Sequence, residues 1–218
     1  MGCGGDLGWA SSARGLDLRL IEPSQASELY RYAWLIGRLP VRVSIPTTSG
    51  VASAVRIAIA LGMAVKLAFP PRAAHDWEEL DEVLDFYLHG RFVGQPVEPF
   101  HSLLQAAFDR RREDVWRVQD EDPAYVRFAN GQGQPTRPSR FECQGDGPLD
   151  NRLVARWRTV ASRPGSACCD CRFLRDCGGY FLWPEPSTQC HARLLWNRVV
   201  QAAEQLANDL QHEGVEPA

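Results

Sequence analysis

Five cysteines crowd into residues 168–190, whereas the rest of the 218-residue chain holds only Cys3 and Cys143. Four of the five follow the pattern Cys168-x2-Cys171-x5-Cys177-x12-Cys190. A C-x-x-C pair lets two thiolates reach one centre from a tight turn, and two later cysteines close the site from flanking segments. Four soft thiolates suit either tetrahedral zinc or the four irons of a cubane. Gly178-Gly179, directly after Cys177, lets the backbone pass close to a bulky centre. A disulfide framework would instead spread its cysteines through a short secreted chain. The spacing therefore predicts one metal site on Cys168, Cys171, Cys177 and Cys190. Cys169 and Cys143 are the alternative ligands, Cys169 because it stands beside Cys168.

Composition narrows the class. Hydrophobic residues make up 44% and charged residues 23%, ordinary for a soluble chain with a real core. A net charge of −3 supplies no basic field, so neither nucleic acid nor an anionic membrane is an expected partner. No apolar run approaches the roughly 18–20 residues that span a bilayer. The first residues, MGCGGDLGWASSARG, lack the basic start and apolar stretch of a secretory signal, so the expected location is the cytoplasm.

Periodicity predicts an α/β fold. Residues 1–15 are expected to be disordered, 16–135 to form an α/β domain, and 136–218 a small cysteine-rich metal-binding domain with a C-terminal helix. A helix is predicted from Gln25 to Gly37 and a strand over Pro40–Ile45. The turn Thr47–Gly50 is read as the cap of a helix from Val51 to Leu61, followed by a strand over Ala64–Phe69. Strand, helix, strand within about 30 residues is a βαβ unit with parallel pairing. Asp76 should cap a helix from Trp77 to His89. Gly90–His101 reads as a loop and Ser102–Arg112 as a helix, with short strands near Val115–Gln119 and Tyr125–Ala129. The Gly- and Pro-rich residues 130–148 mark the domain boundary. Helices over Leu149–Ala161 and His191–Gln211 complete the reading, the last with Leu194, Leu195, Val199, Ala202 and Leu206 on its apolar face.

The segment Cys168-Cys-Asp-Cys-Arg-Phe-Leu-Arg-Asp-Cys-Gly-Gly179 resembles the C-x2-C-x5-C-G-G core of SPASM and twitch domains. These are the auxiliary iron–sulfur domains at the C-terminus of many radical SAM enzymes that modify peptides and proteins. The resemblance implies one auxiliary [4Fe–4S] cluster on Cys168, Cys171, Cys177 and, after a gap, Cys190. A full SPASM domain has a further cysteine four residues beyond the third, for a second cluster. Phe181 stands there, so one cluster is implied. The α/β part is similar in architecture to the end of a radical SAM partial barrel. The catalytic C-x3-C-x2-C of those enzymes does not occur in the chain. The chain is thus expected to be an accessory iron–sulfur protein and not a self-sufficient enzyme, serving a peptide substrate or a separate maturation enzyme. Two readings stand beside it: a zinc-stapled binding or assembly module, and a redox subunit of a peptide-modifying complex.

Few other residues invite chemistry. Glu98 and His101 lie on the rigid segment Pro96-Val-Glu-Pro-Phe-His101 and are candidates for peptide or partner contact, or for bonding to neighbouring backbone. His75 and His212 read as solvated. His191 follows a proposed ligand, but four thiolates already satisfy the centre. Tyr180-Phe-Leu-Trp-Pro184 is expected to cover the cluster and pack on the last helix.

Overall fold

Alternation of apolar and polar residues builds the strands β1 (Leu16–Arg19), β2 (Val41–Pro46) and β3 (Ala64–Ala68), and Val97–Glu98 adds a short β4. They belong to a computed structural model that describes residues 15–71, 74–128, 134, 136–137, 140–141 and 149–212. Cys3, Cys143 and all but Gly15 of the segment expected to be disordered lie outside the described residues. The four strands run parallel in the order β1-β2-β3-β4. Their register sets Leu18, Val43, Val65 and Val97 in one row across the sheet, and Arg19, Ser44, Lys66 and Glu98 in the next. Successive side chains point to opposite faces, so one face is apolar and the other polar.

Consecutive parallel order with right-handed crossovers puts the connecting helices on one face. They are a 3-10 helix (Pro23–Leu35), α1 (Val51–Ala60) and α2 (Trp77–His89). The first packs on α1, and α1 packs on α2. The 3-10 winding of residues 23–35 differs from the expected α-helix; Pro23 starts it, and Gln25 Oε1 accepts the Ile21 amide at 2.8 Å. The cap of α1 also differs. Glu79, reaching across from α2, accepts the amides of Gly50 (2.8 Å) and Ala52 (2.9 Å). Asp76 caps α2 as expected, accepting from the Glu79 amide at 3.1 Å.

The expected strands near 115 and 125 are absent among the described residues. Asp114 accepts the Trp116 amide at 3.1 Å and opens a short helix, α4 (Val115–Val118). The buried Trp116 gains more from the core than from a ladder. The Tyr125 and Val126 amides both turn back to the Asp122 carbonyl at 3.0 Å, which precludes an extended chain there. Helix α3 spans Phe100–Phe108, so the loop expected through His101 contains β4 and the start of a helix.

Helices α5 (Leu153–Ala161) and α6 (Leu174–Cys177), a 3-10 turn (Tyr180–Leu182) and α7 (Ala192–His212) complete the chain. Helix α7 packs mainly on α3 and also on α2. Its buried stripe is Ala192, Leu195, Trp196, Val199 and Ala203. Leu194 is 70% exposed, because at 100° per residue it stands across the helix from that stripe. Leu206 is exposed too, and Ala202 lies at the margin. One hydrophobic cluster runs from Val43 and Val65 of the sheet to Trp157, Cys177 and Val199.

Where the sheet meets the cysteine segment, Arg140 is buried and fully engaged. Its Nε donates to Glu121 Oε2 at 2.5 Å, Nη1 to the Tyr180 carbonyl at 3.3 Å, and Nη2 to the Phe69 carbonyl. The Tyr180 hydroxyl donates to the same Glu121 oxygen at 2.7 Å. Removing one partner of a buried pair strands the other charge and costs about 3–5 kcal/mol. Glu121→Ala should therefore lower the unfolding free energy by about that amount in urea titration. A loss of less than about 1 kcal/mol would mean that water satisfies Arg140 instead.

Candidate metal centre

A run of tight turns delivers three of the four cysteines. The Cys168 amide donates to Ser166 Oγ at 3.2 Å, Cys171 N–H to the Cys168 carbonyl at 3.2 Å, and Cys177 N–H to the Phe173 carbonyl at 2.8 Å. The fourth, Cys190, sits just before α7, and an amide bond from Ala167 to the Ser187 carbonyl (2.7 Å) ties the two stretches together. The thiols lie within electrostatic range of one another: Cys168 senses Cys190 and Cys171, Cys177 senses Cys190 and Cys168, and Cys190 senses Cys171. Cys168 and Cys177 are buried, Cys171 and Cys190 partly so, while Cys169 faces solvent. Among the described residues, no three His, Cys, Asp or Glu side chains are drawn to the spacing that one metal ion requires.

Burial dominates the electrostatics. It pushes the Cys168 thiol up to about 11 and Cys177 up to about 12, with the neighbouring cysteines adding to the effect, and it raises Cys190 as well. The Phe181 and Tyr180 amides oppose this by hydrogen bonding to the Cys177 sulfur. Neutral thiols do not draw one another to a common point, and a thiolate in this setting needs a positive centre beside it. Soft donors brought near one another from two stretches of chain are a donor set that fits a thiolate-bound metal group, whose binding would expel their protons.

Two tryptophans hold the turn after Cys177. Gly178 and Gly179 both adopt left-handed backbone, at φ +59° and +72°. Trp116 Nε1 of α4 donates to the Gly178 carbonyl at 3.2 Å, and Trp157 Nε1 of α5 donates to that of Gly179 at 2.9 Å. A third indole, Trp183, donates to the Arg140 carbonyl at 3.0 Å. A Cβ on Gly179 would lie 2.8 Å from both Trp157 Nε1 and Ala161 Cβ. The glycines are thus required by packing as well as by conformation. Composition offers no sign of these indole contacts, since the tryptophans are remote in sequence from the carbonyls they reach.

The remaining candidates have structural partners. Glu98 accepts from the Ser102 amide (3.2 Å) and hydroxyl (2.8 Å), bonding the first turn of α3. His101 Nδ1 meets the Tyr87 hydroxyl at 2.7 Å; burial, then the Glu98 charge, pushes that phenol up to about 12. His191 is exposed and stacks on Trp77, with centroids 5.7 Å apart. His212 is exposed, whereas His75, expected to be solvated, is half-buried between the edges of Phe69 and Trp77. Its Nδ1 lies 2.9 Å from Thr47 Oγ1. It was missed because its partners come from the ends of β2 and β3, not from its own segment.

No protein-family model, curated protein or solved structure matches the chain. No described helix is long and apolar enough to cross a membrane.

Trp157→Phe keeps the ring but leaves the Gly179 carbonyl unpaired, so it should cost about 1–3 kcal/mol in urea unfolding. Gly179→Ala should also destabilise; an unchanged midpoint in both would remove the clamp. Burial first, and the Arg140 charge second, hold His75 down at about 4 against an ordinary 6.5. The folded state favours the neutral ring, so this contribution is complete above about pH 6.5 and is lost as pH falls toward 4. Between those values, stability should fall less steeply in His75→Phe than in the parent. Parallel slopes would assign the acid sensitivity elsewhere.

Proposed function

We propose that the chain is an accessory iron–sulfur protein resembling the C-terminal part of a radical SAM/SPASM enzyme, supporting peptide or protein modification by binding the peptide or a partner enzyme. The observation that carries the reading is that two separate stretches of chain bring Cys168, Cys171, Cys177 and Cys190 within electrostatic influence of one another, two of them buried and two partly so. The C-x2-C-x5-C-G-G spacing supports the SPASM or twitch assignment. The consecutive parallel strand order supports likening the sheet to an arc of a partial barrel. A [4Fe–4S] cluster supplies a one-electron redox centre, or a structural staple, whose potential depends on hydrogen bonds to its sulfurs and on exclusion of water.

The chain's own residues account for both influences. The Phe181 and Tyr180 amides reach the Cys177 sulfur, and the fully buried Tyr180, with Trp183, excludes solvent beyond the turn. Gly178 and Gly179 let that turn pack closely on Trp116, Arg158, Trp157 and Ala161. Holding the cluster and presenting it is therefore the role assigned here. Cleavage of S-adenosylmethionine is not assigned to these 218 residues, in which the catalytic cysteine triad does not occur.

Anaerobic purification with iron, sulfide and zinc analysis tests the proposal. The expected yield is about four irons and four sulfides per chain. Cys177→Ala should lose them, whereas Cys169→Ser should keep them. One zinc without sulfide would replace the proposal with a zinc-stapled binding module. A peptide-modifying activity of the isolated chain would overturn the accessory role, and tight co-purification with a modifying enzyme would make it a redox subunit.

A further inference from the structure

Helices α3 and α7 and the short α6 leave a cavity of about 280 Å3 between them. Leu103, Ala106, Ala107, Phe173, Val199 and Val200 give it apolar walls, and Arg111, Glu113, Arg172, Asp176 and Trp196 complete the lining. Three of the charged residues already have partners. Arg111 donates to Glu113 (2.7 Å), Asp109 (3.3 Å) and Gln105 (3.1 Å), and Arg172 donates to Asn197 Oδ1 at 2.7 Å. The cavity is thus apolar with an engaged rim, and it lies between packed helices, where ligand sites commonly form.

The other two polar residues differ. Trp196 is only 7% exposed, yet its indole Nε1 has no partner, and neither has the buried Oδ1 of Asp176. Such atoms are rare in folded proteins, because a buried polar group left unpaired gives up its hydration without replacement. The indoles of Trp116, Trp157 and Trp183 show the ordinary outcome, each donating to a backbone carbonyl. Phe173 stacks on Trp196, with centroids 5.1 Å and planes 28° apart, which holds the indole in its plane. No described group reaches either atom, and the cavity that both residues line is the space from which a partner can enter.

We propose that this cavity binds a small aliphatic amide, its carbonyl oxygen accepting from Trp196 Nε1 and its N–H donating to Asp176 Oδ1. An indole N–H only donates, and a carboxylate oxygen only accepts. A ligand ammonium would satisfy Asp176 and leave the indole unpaired. A ligand carboxylate would satisfy the indole and meet the charge of Asp176. An amide donates and accepts at once and carries no charge. The cavity's 280 Å3 is close to the lower end of small-molecule pockets, about 300–1,000 Å3, which suits one branched aliphatic chain with one amide group. The amide comes either from the backbone beside a leucine-like residue of a peptide or from a free aliphatic amide. The site goes beyond the metal proposal and is independent of which metal the cysteines hold.

Calorimetric titration of the full-length chain with 4-methylpentanamide, 4-methylpentanoate and 4-methylpentylamine, which share one carbon skeleton, tests the proposal. The amide should bind at least about tenfold more tightly than either charged analogue, because a site built to pair polar groups rejects a ligand that leaves one unpaired. Trp196→Phe should abolish the preference for amide over amine. In 1H–15N spectra of the unmutated protein, the amide should move the Trp196 indole resonance further than those of Trp116, Trp157 and Trp183, a readout independent of how the variant folds. Tighter binding of N-acetylleucine N-methylamide than of 4-methylpentanamide would indicate a peptide source, and the reverse a free amide. Equal affinity for the three analogues, or a Trp196 resonance left unmoved by millimolar amide because the cavity holds water only, would overturn the assignment.

Discussion

Burying the guanidinium of Arg140 costs several kcal/mol unless its N–H groups find acceptors, and the acceptors it finds come from three parts of the chain. Glu121 follows α4, Phe69 follows β3, and Tyr180 follows the glycine turn of the cysteine segment. The arginine also lies over the Tyr180 ring, 3.9 Å from its centroid, so the cation contributes packing as well as charge. Because each acceptor belongs to a different element, the sheet and the cysteine turn cannot shift relative to one another without stranding a charge. His75 and the wall behind Cys177 both inherit their positions from this contact.

The aromatic side chains extend the same joint. Trp116 meets Tyr180 edge-on at 5.0 Å, and Trp157 meets Trp183 at 5.0 Å, while their indole N–H groups are directed to backbone carbonyls. Tryptophan suits this position because it fills volume and satisfies a buried carbonyl at once. A core of aliphatic residues would fill the space and leave the Gly178 and Gly179 carbonyls unpaired.

What could be read from the sequence was local. Alternation marked β2 and β3, and the Asp76 cap marked α2. Where partners are remote in sequence, the reading stopped short. Arg140 lies in a Gly- and Pro-rich stretch that reads as a linker, yet it joins residues 71 and 40 positions away. Val115–Val118 has strand-like composition, but an aspartate cap and the burial of Trp116 make it helical. In α7 the apolar residues alone did not settle the phase. Leu194 falls opposite the stripe, and the larger Trp196 sets which side meets α3 and the cysteine turn.

The strand order carries a consequence for how the molecule assembles. Each strand pairs with the next one in the chain: Leu16 with Val41, Arg42 with Ala64, Val65 with Val97. The sheet is thus made of short-range closures, each formed once a single intervening helix is complete, and it can grow outward from the first strand during synthesis. The cysteine segment comes later, because Cys190 immediately precedes α7, which packs on α3. Chain growth therefore separates the building of the sheet from the arrival of α7, and a ribosome-bound intermediate would display an ordered sheet whose α3 still lacks its helical partner.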